Sequence, residues 1–354
     1  MKKKHNGTID FMKFLFACEI LAFHGSSMIG TQKTLFRSGA FGVEFFFIVS
    51  GFLMAMSAWK TLQQGNVLQI GTETARGIGK KIKNLFPYVL GAFLITLVLR
   101  ETIKQTDPTK IPADLYKAVW EPLFLWISGI GKVTVNAPTW YISAMLVSML
   151  ILYPMLLKNF DLFTRVIAPA LAIFLIGWIA KETGTLSVPA TWLGLCYKGL
   201  IRGIAEMSLG CVCFVVCQWL MQLRLKTAGK ILLSVIEWAC YIIAIGICVH
   251  FGVDFGYLLV AVLAIGITIS FSNQSATAAL FHSPIFPFLG QFSLTIYLIH
   301  YPIRMVFMHI KPNLAYWPQM GLFFLITFVI GLLYLLIVKG ILCLYHCNKN
   351  KVTF

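Results

Sequence analysis

Long apolar runs separated by short polar turns dominate the chain. Crossing the hydrocarbon core takes roughly 20 residues of helix. Runs near residues 10–29, 40–58, 84–100, 139–157, 164–180, 201–220, 230–250, 254–272, 288–308 and 318–345 are long enough, about ten in all. The first is not expected to be a cleavable leader, because its apolar part is too long, is interrupted by charge and lacks a small-x-small cleavage pattern. No internal repeat, Gly/Ser linker or low-complexity tract divides the chain. Residues 1–354 are therefore expected to form a single membrane domain without a soluble appendage. The longest polar connection, Glu101 to Pro138, carries Pro108, Pro112, Pro122 and Pro138 around `VWEPLFLWISGIG`. It is expected to return a short amphipathic piece to the outer interface and to roof part of a cavity.

Composition strengthens this picture. The 354 residues are 58% hydrophobic and only 12% charged, with a mean hydropathy of +0.82, a balance foreign to ordinary soluble domains. The fold class predicted is an all-α polytopic membrane protein of about ten transmembrane helices. The formal charge of +16 fits Lys and Arg held in cytoplasmic loops and at lipid headgroups, so membrane lipid and not nucleic acid is the expected surrounding. With `MKKK` inside, the loop Lys60 to Lys83, the turns `KNFDLFTR` and `RLKTAGK` and the terminal `NKNK` fall on the same side. Both termini are then cytoplasmic in a multi-pass cell-membrane protein. Nine cysteines lie almost entirely in apolar runs, where they act as small hydrophobes. The cluster Cys343, His346 and Cys347 in `CLYHC` lacks the second half of a four-ligand site, and no metal is expected.

Against this background the run `DFMKFLFACEILAFHGSSM`, residues 10–28, is unusual because it carries Lys13, Glu19 and His24. At 100° per residue Lys13 and His24 share one helix face, roughly 16 Å apart along the axis, and Asp10 is within reach of Lys13. A charge at the bilayer centre costs roughly 2.5–3.5 kcal/mol on insertion scales, so such groups face a bundle interior or a water-filled space. Together they predict a polar cavity lined by this helix. A bland alternative has Lys13 snorkelling, Glu19 paired with a neighbour and His24 bonding between helices. A relay of Lys13, Glu19 and His24 in a secondary transporter or flippase is a further alternative, although neither internal symmetry nor matching broken helices is present.

Four further landmarks follow in order: `GAFGVEFFFIVSGFLM`, `ARGIGKKIKNLFPYVL`, `PTWYISAMLVSMLILYP` and `LGQFSLTIYLIHYPI`. With the Lys-x10-His helix they resemble the integral-membrane acyltransferase-3 family, of the polysaccharide O-acetyltransferase type, over residues 8 to about 302. The resemblance implies about ten helices and an acyl-CoA donor on the cytoplasmic side, acetyl-CoA first. For many members it also implies a glycan acceptor, surface or lipid-linked, on the far side. Two positions depart from the family: Lys13 stands where Arg is usual, losing the bidentate fork, and Asn84 stands where an Arg precedes the proline.

The residues themselves suit such chemistry. Lys13, Arg76, Lys80, Lys81 and Lys83 are candidates to hold the donor's phosphates as point charges. Transfer to a hydroxyl needs a base near neutral pH, and His24 is the candidate; a covalent acyl-His24 intermediate is the less favoured variant. Glu44 is the candidate partner that orients the imidazole, with a structural ion pair as its rival reading. Glu19 lies about 140° round the helix from His24 and faces elsewhere. Trp140, Tyr141 and His300 are candidates for contact with the acceptor, with a membrane-interface belt as the other reading of the two aromatics and a packed histidine as that of His300. Arg202 and Glu206, four apart on one helix, most simply neutralise each other. Gly51 most simply permits close helix approach. Succinyl or another acyl group in place of acetyl stays open.

Overall fold

The computed structural model describes residues 5–29, 36–65, 69–131, 134–251 and 253–351. Ten long helices account for most of them: α1 (Gly7–Ile29), α2 (Gly42–Gln63), α3 (Ile70–Lys104), α5 (Trp140–Lys158), α7 (Ala168–Thr183), α8 (Lys198–Gln222), α9 (Thr227–Val249), α10 (Gly256–Ser272), α11 (Ile285–Ile310) and α12 (Tyr316–Lys351). Two short helices, α4 (Ile111–Ala118) and α6 (Phe160–Leu162), complete the set. A π-helical turn, Phe163–Ile167, joins α6 to α7. Each predicted apolar run coincides with one long helix. Among the described residues seven helices are long and apolar enough to cross a membrane on their own, and Gly256–Ser272 is a shorter apolar one. The protein is an all-α polytopic membrane protein.

One boundary differs from expectation. The basic stretch before Pro87, read as part of a loop ending at Lys83, is helical from Ile70, so α3 runs for 35 residues. Lys and Arg are good helix formers, and Pro87 is accommodated inside the helix. The side chains of His346 and Cys347, in the `CLYHC` cluster, lie outside those described; Cys343 is exposed.

Helix contact follows the rule that membrane interfaces use small residues to bring backbones together. A Cβ on Gly51 of α2 would lie 2.0 Å from the Met207 carbonyl of α8, and one on Gly210 of α8 would lie 2.2 Å from the Ile48 carbonyl of α2. This confirms the expected role of Gly51 in close approach. Phe52 stacks on Phe271 of α10 at 3.8 Å beside that crossing. Near the middle of α1, Phe16 stacks on Phe45 of α2 at 4.7 Å.

Helix α1 packs along α11 and against α2, inside the bundle. At its start the Asn6 amide donates to the Ser270 carbonyl near the end of α10. Beyond its other end, the Phe36 N–H donates to the Val249 carbonyl at the end of α9. The bundle thus has a Lys13 end and a His24 end. A two-residue antiparallel hairpin at the His24 end, β1 (Trp192–Leu193) and β2 (Cys196–Tyr197), leads into α8.

Candidate active site

Two cavities open along α1. The first, about 230 Å³, lies toward the Lys13 end, between α1, α2, α3, α5 and α11. Its walls are mostly apolar, and its cationic groups are Lys13 and Lys81. Lys13 bonds Asp10 at 2.8 Å, as its spacing predicted, and the other Asp10 oxygen lies 3.2 Å from His5. Gly290 of α11 makes room for this cluster, since a Cβ there would lie 2.6 Å from the Asp10 carboxylate. The remaining predicted cations lie elsewhere: Arg76 pairs with Glu73 and is largely exposed, and Lys80 and Lys83 are exposed. A helix cannot turn residues 80, 81 and 83 to one face, and the cavity receives only Lys81 of the run.

The second cavity, about 360 Å³, lies toward the His24 end. Ile20, Phe23 and His24 of α1, Trp140 of α5 and Arg202 of α8 are on its wall. The His24 ring is 4.9 Å from His300, centroid to centroid, edge-on to Phe23 at 5.0 Å and to Tyr301 at 6.4 Å. His300 is fully buried. Its Nδ1 lies 3.3 Å from the Ile296 carbonyl, and its Nε2 has no hydrogen-bond partner among the described residues. His300 therefore lies behind His24 and is not among the residues lining this cavity, the packed position that was its alternative reading.

Glu44 takes a different partner from the one expected. Its carboxylate is bonded by the Arg202 guanidinium, not by His24. Arg202 also reaches Glu206 at 3.5 Å, donates to the Leu186 carbonyl at 2.7 Å and lies 5.1 Å from the Trp140 ring centre. Arg202 is thus shared, and Glu206 is its weaker partner. All three ionic groups are at most 2% exposed, so a single guanidinium serves two buried carboxylates and offsets the charge of one. Trp140 is held by this cluster, whereas Tyr141, its neighbour in sequence, turns into the first cavity. Glu19 lines neither cavity and lies against Cys248.

The connection from α3 to α5 roofs the second cavity, as expected, through Ala137 and Pro138. Buried Glu121 organises this roof. It accepts the Val135 N–H at 2.6 Å and the Asn136 N–H and Thr134 hydroxyl at 3.1 Å each. Burial lifts its carboxyl to about 7, against the lowering effect of those bonds. The Asn136 amide then donates to the Leu298 carbonyl at 2.9 Å, tying the roof to α11. Sequence reading missed Glu121, as it missed Arg304, whose guanidinium lies 5.9 Å from the Tyr301 ring centre. The spacing of Arg304 one turn after His300 was the available signal.

A helical membrane bundle with two cavities on one ionisable helix defines a class; the sequence comparison then places the chain within it. The model for an acyltransferase domain matches residues 6–338. The chain belongs to the acyltransferase-3 family and is a membrane acyltransferase. No curated protein and no solved structure matches it. Among the described residues, no three His, Cys, Asp or Glu side chains come together as metal ligands.

Proposed function

We propose that the protein moves an acyl group, acetyl in the first instance, from acyl-CoA to a hydroxyl of a surface or lipid-linked glycan. The donor enters at the Lys13 end, which is cytoplasmic together with both termini, and the acceptor binds at the His24 end. The reading rests on one observation: in a chain of this family, His24 is on the wall of one cavity while Lys13 and Lys81 are on the wall of the next.

The roles follow from the chemistry. Lys13 and Lys81 meet the negative nucleotide end of the donor as point charges. The thin, uncharged pantetheine arm of CoA can thread a cavity with mostly apolar walls. At the other end the acceptor hydroxyl loses its proton to His24 as its oxygen attacks the thioester carbonyl. The new C–O bond forms, the C–S bond breaks, and the departing thiolate takes the proton back from the imidazolium. His300, packed at a tilt against His24, restricts the turning of that ring. Trp140, held by Arg202, presents an aromatic face suited to a sugar ring.

Two measurements test this. Purified protein in lipid should consume radiolabelled acetyl-CoA only when a glycan acceptor is present. Mass spectra of surface glycans from cells with and without the chain should differ by one acyl group. Donor left intact by active, folded protein, with unchanged glycans, would overturn the proposal.

A further inference from the structure

The helices that line the two cavities contribute to them in order along their axes. On α1 Lys13 faces the first cavity and His24 the second; on α2 Ser50 faces the first and Val43 the second; on α5 Met145 faces the first and Trp140 the second. The cavities therefore lie end to end on one path. On α11 Ser293 faces the first, and Tyr297 is on the wall of both.

Tyr297 therefore stands where they meet, packed against two rings of the first cavity's wall. Tyr297, Tyr141 and Phe46 enclose a triangle with centroid separations of 6.2 Å, 5.9 Å and 6.4 Å, the range of mutually packed aromatics. Both tyrosines are latched. The Tyr141 hydroxyl donates to the Phe46 carbonyl at 3.1 Å, beside Ser50 Oγ at 3.0 Å. The Tyr297 hydroxyl donates to the Pro138 carbonyl at 2.6 Å. The two latches differ in kind. Tyr141 holds the septum to α2 within the bundle, whereas Tyr297 holds it to the roof of the second cavity.

We propose that Tyr297 is a specificity-determining residue of the transfer: its ring closes the septum between donor and acceptor cavities and sets which acyl groups pass to His24. The proposal rests on the acyl-transfer reading above. The acyl group travels on the donor's own arm and no bond is made at the septum, so the step is one of passage alone. When Tyr297 leaves Pro138, the two cavities join and a thioester in the first meets a hydroxyl in the second. While it stays, water in the acceptor cavity is kept from the thioester.

The test separates the septum from the chemistry. Ser293→Cys places a thiol on the wall of the first cavity. Sealed vesicles of either orientation are treated with a charged, membrane-impermeant thiol reagent, and modification at position 293 is read by peptide mass spectrometry. With Tyr297 present the thiol should react from the Lys13 end only. Tyr297→Phe keeps the ring and removes one hydrogen bond, about 1 kcal/mol, so reaction from the His24 end should rise about fivefold. Tyr297→Ala should raise it at least about tenfold, and should shift the preference between butyryl-CoA and acetyl-CoA toward the longer chain by about tenfold, the scale at which a pocket reads added methylenes.

Equal reaction from both ends with Tyr297 present overturns the septum. So does the lack of any rise in either variant. Opening without a change in acyl preference overturns the specificity role. Opening in a protein that transfers no acyl group from any CoA donor leaves the septum standing and sinks the acyl-transfer reading instead. Tyr297→Phe keeps the test decisive should the alanine variant fail to insert.

Discussion

The two cavities hold their charges in opposite ways. Toward the Lys13 end they sit on long side chains at the rim: Lys13, with its side chain 24% exposed, paired with Asp10, and Lys81 beside it. Toward the His24 end they sit in the wall, with Arg202, Glu44 and Glu206 locked together out of contact with the surroundings. The first arrangement tolerates movement and suits a flexible polyanion. The second fixes geometry, and it holds Trp140 and the histidine pair around the place where bonds would change. Binding and positioning, on this reading, are divided between the halves of one helix.

Four tests would break or sharpen that division. His24→Ala should lower acyl transfer by about 10²–10⁴-fold, the usual contribution of a positioned base, with the KM for the donor unmoved; steady-state kinetics in lipid reads both. A variant that kept full activity would remove His24 from the reaction.

Next in size is a contrast between ion pairs. Arg202→Ala leaves Glu44 and Glu206 buried without compensation and should cost about 3–5 kcal/mol, seen as a collapse in thermal stability in detergent. Asp10→Asn acts on a partly exposed pair and should cost about 1 kcal/mol or less. Equal effects would erase the difference between the cavities.

Smaller again is the donor contact. Lys81→Ala should raise the KM for acyl-CoA about tenfold, one charge-assisted contact at roughly 1.5 kcal/mol. Lys80→Ala, from the exposed face of the same helix, should leave it unchanged. A reversed order would put the donor on the outside of α3.

A separate contrast is in pH. The folded Glu121 carboxyl titrates near 7, above its ordinary value of 4.5, so the fold binds its proton more tightly than the unfolded chain does. The stability this adds is complete below about pH 4.5 and fades as pH rises through about 7. Thermal melts at pH 5 and pH 8 should show the loss in the parent and a smaller one in Glu121→Gln. Equal slopes would mean that the roof does not titrate.

Much of this was legible in the chain itself. The spans were, because each is a local run of apolar residues matched to one bilayer length. The Asp10–Lys13 pair was, because partners three apart on a helix need nothing else to meet. Gly51 was legible as a crossing point from its small size alone. The partner of Glu44 was not: Arg202 is 158 residues away, and the simpler pairing on sequence was Arg202 with Glu206. Trp140 and Tyr141 both read as acceptor contacts, yet adjacent helical positions point about 100° apart, and here they line different cavities. His300 read equally as a cavity residue or a packed histidine, and only packing sets its ring against His24.

The sequence by itself determined how many helices form, in what order they cross, and that the first must be sheltered because it carries Lys13, Glu19 and His24. These depend on hydrophobic length and charge, which are properties of short segments. Only the tertiary structure decided that Lys13 and His24 look into separate cavities, that Arg202 joins α8 to α2, and that Tyr297 of α11, packed on rings of α2 and α5, borders both cavities. Those outcomes depend on which helix faces lie against one another, and helices far apart in sequence choose their contacts through packing and charge compensation in the assembled bundle.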